Sequence, residues 1–96
     1  MVTAIVRHKI MDQNQWQKVF EENLKALWAS GCTSAKVLRA VDDPLDVSVI
    51  CEWPEMTQLQ AFVTSQMDSK SAERGGVIGM PEGRILTNYR VYSPHA

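Results

Sequence analysis

Two cysteines in 96 residues are too few for a disulfide framework. Histidine is just as scarce. His8 and His95 stand at opposite ends of the chain, and with two separated cysteines they match no metal-ligand spacing. Neither sign of charge dominates: the net charge of −1 provides no general attraction to nucleic acid or to an anionic membrane surface. No run approaches the roughly 20 apolar residues of a membrane span. The opening "MVTAIVRHKIMD" places its short apolar run before its charge, the reverse of a secretory leader, so a cytoplasmic location is expected. Phosphate-cradling glycine loops are missing too, since "GGVIG" follows a helical pattern where such a loop precedes one. No metal or cofactor is expected on these grounds, nor is a nucleic-acid or membrane partner.

What remains is ordinary for a globular chain: 45% apolar and 22% charged residues in a length that suits one domain, residues 1–96. So small a domain buries a limited share of its surface, which favours oligomerisation.

Residues 2–10 alternate with a period of two, as a strand does. Val2, Ala4, Val6, His8 and Ile10 share one face. Asp12, with Gln15 three residues on, has the form of a capping box opening a helix. Trp16, Val19, Phe20, Leu24, Leu27 and Trp28 then recur at helical spacing up to Gly31. Segments 32–41 and 46–53 read as strands of an antiparallel hairpin, with "DDPL" as a type I turn. In that hairpin Cys51 lies opposite residues 35–37, and at roughly 3.3 Å per residue Cys32 is too remote for a disulfide. Pro54 opens a second helix with Leu59, Phe62, Val63 and Met67 turned inward. A fresh cap at Ser65-Gln-Met-Asp68 predicts a break and restart before Gly75-Gly76. "VIGMPEG" reads as a loop, "RILTNYRVY" (84–92) as the last strand and "SPHA" as a tail.

This order, β-α-β-β-α-β, predicts an α+β ferredoxin-like fold: a four-stranded antiparallel sheet with two helices on one face. The other face carries one mid-strand aliphatic per strand, Ile5, Leu38, Ile50 and Leu86, among Arg7, Lys36, Ser48, Glu52, Arg84, Asn88 and Arg90. An apolar centre with a polar rim has the composition of an interface, and these four residues are the expected dimer contact. RNA-binding domains of the same strand order stack bases on aromatic residues of the two central strands, but Ile5 and Ile50 fill those positions here.

Taken together, the helix "DQNQWQKVF", the hairpin "RAVDDPLDVSVICEW", the interrupted second helix and "GGVIGMPE" resemble the dimeric α/β-barrel superfamily. The likeness falls near its antibiotic-biosynthesis monooxygenase (ABM) domains and covers residues 2–92. It implies a homodimer whose two sheets pack face to face with the helices outside. It also implies a pocket between helices and sheet, in which monooxygenases of this group oxidise an aromatic substrate without metal or flavin. Haem-degrading relatives use a histidine on the second helix. Matched through Trp53, that position falls near Phe62, which cannot ligate iron. Their strand-one asparagine has no clear counterpart, Arg7 and His8 standing in that region.

The candidate site gathers His8, Asn23 and Tyr89 as polar groups against Trp53, Phe62 and Met67 as apolar wall, the usual design for a small ligand. His8 is the candidate catalytic group, a general base that titrates near neutrality, or else a hydrogen-bonded residue at the rim of the core. Asn23 either borders the buried stripe of its helix or points into a cavity. Cys51 reads as a packing residue with no basic neighbour, and Glu21 and Glu22 as solvated surface. Three functions fit. The first is a homodimeric ABM-like protein holding a small apolar or aromatic molecule. The others are a cofactor-independent oxidoreductase acting on such a molecule, and a purely structural or partner-binding dimer.

Overall fold

The computed structural model describes residues 1–67 and 71–94, with the side chains of Met67, Ser71 and Ala72 outside the described set. Element order is β1 (Val2–Ile10), α1 (Gln13–Ala29), β2 (Ser34–Ala40), β3 (Asp43–Trp53), α2 (Met56–Met67), α3 (Ser71–Arg74) and β4 (Val77–Thr87). The strands form one antiparallel sheet in the order β2-β3-β1-β4, the ferredoxin-like arrangement with β1 and β3 at its centre.

Local chemistry sets the boundaries of α1. Asp12 is extended, and its carboxylate accepts from the Gln15 amide at 2.8 Å. The reciprocal half of the capping box is absent: the Gln15 side-chain amide donates instead to the Arg74 carbonyl at 2.8 Å, tying α1 to α3. Gly31 ends α1 with φ of 100°, a conformation in which a Cβ would also press on the Gln58 side chain. Helix α2 is described to Met67 and α3 from Ser71, and the expected break falls on residues 68–70, which lie outside the described residues. Ser65 is not a cap, however. It lies within α2 and its hydroxyl donates to the Phe62 carbonyl at 2.7 Å. Asp68, the other end of that expected box, lies outside the described residues, as does His95.

Two boundaries differ from the sequence reading. The β2–β3 turn falls on Val41–Asp42, so Pro44 belongs to β3, beyond a register shift that pairs Ala40 with Asp43 and Arg39 with Val47. There Pro44 interrupts no ladder, and the Asp43 carboxylate accepts from the Leu45 amide at 3.0 Å. The last strand is 77–87 rather than 84–92. Val77 and Ile78 pair with Ile10 and Lys9, and an irregularity opposite Arg7–Lys9 absorbs Gly79, at φ of 73°, together with Pro81 on an edge strand. The far end stops at Thr87 because Thr87 pairs with Val2, which leaves β1 almost nothing to offer residues 88–92. Tyr89, Val91 and Tyr92 are accordingly 84–85% exposed, and Tyr89 is not part of the core face.

The core lies between the helices and the two central strands: Ile10, Val47, Val49, Cys51 and Trp53 from the sheet, Leu27 and Leu59 from the helices, and Cys32. Coverage fades at both edges, where Val37 of β2 and Ile85 of β4 are exposed on the helix side. On the bare side, Ile5 and Ile50 pair directly and are half-buried, while Leu38 and Leu86 flank them exposed. Arg7 forms a two-bonded ion pair with Asp46 on that side, at 2.7 and 3.1 Å, and Asp46 is only 7% exposed. Hydrogen bonding to the guanidinium holds the Asp46 carboxyl below its ordinary range.

Cys32 and Cys51 belong to the same buried cluster although Cys32 precedes the first rung of β2. Cys51 does pair with Ala35, but the chain leaves the ladder at Thr33, whose amide donates to the Glu52 carbonyl at 2.8 Å. Cys32 then folds under the sheet and its thiol donates to the Ser34 carbonyl at 3.2 Å. Both are buried free thiols within one core cluster.

Candidate functional site

Between α1, α2 and the sheet lies a cavity of about 310 Å³. Helix α1 supplies Trp16, Val19, Phe20, Asn23 and Leu27, whereas α2 supplies Leu59, Phe62, Val63 and Gln66. The floor is Ala4, Val6 and His8 of β1 with Val49, Cys51 and Trp53 of β3. Gly75, Val77 and Pro81 close the side toward β4. Alternation along β1 and β3 points these floor residues at the helices, since directly paired residues of an antiparallel ladder share a face.

His8 is the chemically distinctive group of the floor. It pairs with Val47 in the ladder, and its ring tilts against Trp16 with centroids 5.6 Å apart. Both ring nitrogens are buried, and neither has a hydrogen-bond partner among the described residues. The rim histidine bonded within the core, one of the two expectations, is not what the structure contains. An unsatisfied buried imidazole costs free energy unless something occupies the space it faces. Burial also lowers its pKa from the ordinary 6.5, against a smaller opposing pull from the Asp46 carboxylate. At neutral pH the ring is therefore uncharged, with one nitrogen able to accept a proton and the other to donate one.

That shift has a sign that can be measured. The unfolded chain takes up the proton near 6.5 and the folded chain only at lower pH, so stability is complete above 6.5 and falls as pH drops through that range. Urea unfolding compared at about pH 7.5 and about pH 5.5 should show a larger loss for the native sequence than for His8→Phe. Equal losses would mean that the ring is not desolvated. The Asp43 and Asp46 carboxyls, both lowered from 3.8, act in a separate and more acidic window.

The aromatic wall is organised around Trp53. Its side chain is 2% exposed, its ring lies 5.7 Å from that of Phe62, and its indole N–H donates to the Ser30 hydroxyl at 2.9 Å. Trp16 and Phe20 stack nearly parallel, 10° apart at 5.0 Å. Cys51 lines the cavity as a protonated thiol, pushed up to about 12 first by burial and then by Cys32.

Of the six expected ligand contacts, His8, Asn23, Trp53 and Phe62 line this one cavity. Tyr89 does not, because it stands exposed beyond the end of β4. The Met67 side chain lies outside the described residues. Trp16, Phe20, Gln66, Val77 and Pro81 were not singled out. The first two were assigned to the core stripe of α1, and the last two to a loop. Gln66 carried no signal, since one glutamine on a helix is ordinarily surface. Among the described residues, no group of three or more His, Cys, Asp or Glu is placed to hold a metal ion. Nor is any helix there long and apolar enough to cross a membrane.

The chain matches no protein-family model, and no curated protein matches it. Its fold is nevertheless shared with solved ABM structures. SnoaB, a cofactor-independent oxygenase from Streptomyces nogalater, superposes with a TM-score of 0.77 at 16% identity, over 94% of each chain. An antibiotic biosynthesis monooxygenase superposes at 0.75 with 13% identity, over 94% of this chain and 100% of that one. The monooxygenase from the gene ActVA-Orf6 of Streptomyces coelicolor, solved with the ligand nanaomycin D, gives 0.69 at 14% identity, over 97% and 91%. The ferredoxin-like architecture of this chain is thus that of the ABM proteins, and at such identities the likeness defines the fold.

Proposed function

We propose that this protein is a homodimer that binds a small, largely apolar or aromatic molecule between its helices and its sheet. One observation carries the reading: a cavity of about 310 Å³ walled by aromatic residues, with a buried imidazole in its floor that has no hydrogen-bond partner among the described residues. That volume is at the lower end of small-molecule sites, enough for a fused bicyclic ring system. An aromatic alcohol would stack on the wall while its hydroxyl supplied the hydrogen bond that His8 lacks. The dimer is supported by the bare sheet face, where the half-buried Ile5–Ile50 pair lies between Leu38 and Leu86. The hollow beside Thr3 and Leu86 also runs into the exposed Tyr89 and Tyr92, which adds apolar surface at that edge.

The neutral state of His8 favours a second reading, in which the bound molecule reacts. An uncharged imidazole can remove a proton from a phenolic hydroxyl, and the resulting phenolate gives up electrons to dioxygen far more readily than the phenol. SnoaB is described as a cofactor-independent oxygenase, and the shared fold makes the same class of activity a reasonable one to test here. Titration with naphthol, followed by tryptophan fluorescence, tests binding: saturable quenching is expected, lost in Phe62→Ala. Oxygen uptake with naphthohydroquinone tests reaction, and consumption no greater than that of His8→Ala would leave a binding protein only. A protein that neither quenches with naphthol nor consumes oxygen would contradict both readings and leave a structural or partner-binding role.

A further inference from the structure

Cys51 is the one sulfur-bearing residue in the cavity floor, and Cys32 lies behind it. Their proximity follows from the backbone. The Cys32 thiol rests on the Ser34 carbonyl, and Ser34 pairs with Glu52, the rung next to Cys51. Each side chain is 7% exposed within the same buried cluster. Two free thiols thus share one buried cluster, and one of them, Cys51, lines a cavity wide enough to admit a small molecule.

We propose that Cys32 and Cys51 are a redox dithiol that closes into an internal disulfide when a small hydroperoxide enters the cavity. Cys51, which lines the cavity, reacts first. Its sulfur attacks the peroxide oxygen, the O–O bond breaks, and the products are a sulfenic acid on Cys51 and an alcohol, or water if the oxidant is hydrogen peroxide. Cys32 then attacks the Cys51 sulfur, the S–S bond forms, and the sulfenic hydroxyl leaves with the Cys32 proton as water. Overall the two thiols lose two hydrogens and two electrons, and the peroxide gains them.

The surroundings define how this pair behaves. Burial keeps Cys51 protonated at neutral pH, so the first step is slow there and accelerates as pH rises. Once the thiolate reacts, Cys32, held in the same buried cluster one rung away, is the thiol placed to intercept the sulfenic acid. The disulfide would also remove the thiol hydrogen from the cavity floor, changing what the floor can offer a ligand. This inference does not depend on the identity of that ligand or on the dimer.

The test uses the native protein and hydrogen peroxide, followed by acid quenching, alkylation in denaturant and peptide mapping. Expected is a monomeric product lighter by two hydrogens, with Cys32 and Cys51 in one cross-linked peptide pair, neither alkylated, and the circular dichroism unchanged. Dithiothreitol should restore both thiols. In Cys32→Ser, dimedone should trap a sulfenic acid on Cys51. Both thiols remaining alkylatable would overturn the proposal, as would disulfides between molecules or a sulfinic acid on Cys51 with Cys32 untouched. The wild-type map decides the matter even if Cys32→Ser fails to fold.

Discussion

Replacing Trp53 with alanine is expected to lower the unfolding free energy by about 3–5 kcal/mol, the range for emptying a large buried aromatic site. For a domain with roughly 5–15 kcal/mol in hand this approaches loss of the folded state at ambient temperature. Trp53 combines three roles at one position. It fills the bottom of the core at 2% exposure, packs against Phe62 across the cavity, and ties the end of β3 to the end of α1 through Ser30. The Ser30 hydroxyl in turn donates to the Leu27 carbonyl, so the indole closes a short chain of hydrogen bonds over the helix terminus. Trp53→Phe keeps most of the apolar area but deletes the indole donor, and should cost noticeably less. Trp28→Ala is the control: that side chain is 47% exposed on the outside of α1, and its loss should cost under about 1 kcal/mol. Similar melting temperatures for Trp53→Ala and Trp28→Ala would refute this placement of the core.

Ile50→Asp is expected to abolish the proposed dimer and leave a monomer. Ile50 pairs with Ile5 at the centre of the bare face, and in a symmetric dimer the same residue is presented twice. Burying a carboxylate without a partner costs about 3–5 kcal/mol, and symmetry doubles the insult. Leu38→Asp, on the edge strand, should weaken association less. Light scattering coupled to size exclusion checks both, with a chain mass of 10.8 kDa as the monomer reference. A native protein of monomeric mass would remove the proposed interface, while leaving the cavity, which belongs to a single chain.

The fold was legible because its determinants are local and periodic. The alternation of Val47, Val49, Cys51 and Trp53, the Asp12 cap and the positive-φ glycines at 31 and 76 each specify structure within a few residues. The misread segments are those in which tertiary pairing overrides local punctuation. Gly79 and Pro81 look like a loop in isolation, yet on an edge strand a bulge accommodates one and the missing amide of the other costs no ladder bond. Residues 88–92 have the composition of a strand and lack only a neighbour to pair with. Tyr89 was lost from the site for that reason alone.

The site was legible in outline. Strand parity places His8, Cys51 and Trp53 on one floor, and helical spacing places Phe62 above them. What parity cannot convey is satisfaction: whether the imidazole meets a carbonyl or faces empty space depends on side chains from four elements at once. The burial of Cys32 in one cluster with Cys51 was hidden for a related reason, since Cys32 lies where the chain leaves the ladder.

The central claim is that His8 lacks a partner because a small aromatic molecule supplies one. Its most direct test is the imidazole signal of His8 in NMR spectra at about pH 7.5, recorded while naphthol is added. The account predicts that the His8 ring shifts saturably, in step with the Trp53 indole and Phe62 resonances. A His8 ring that remains unmoved while naphthol saturates the protein elsewhere, or that shows a persistent internal hydrogen bond without any ligand, would contradict it.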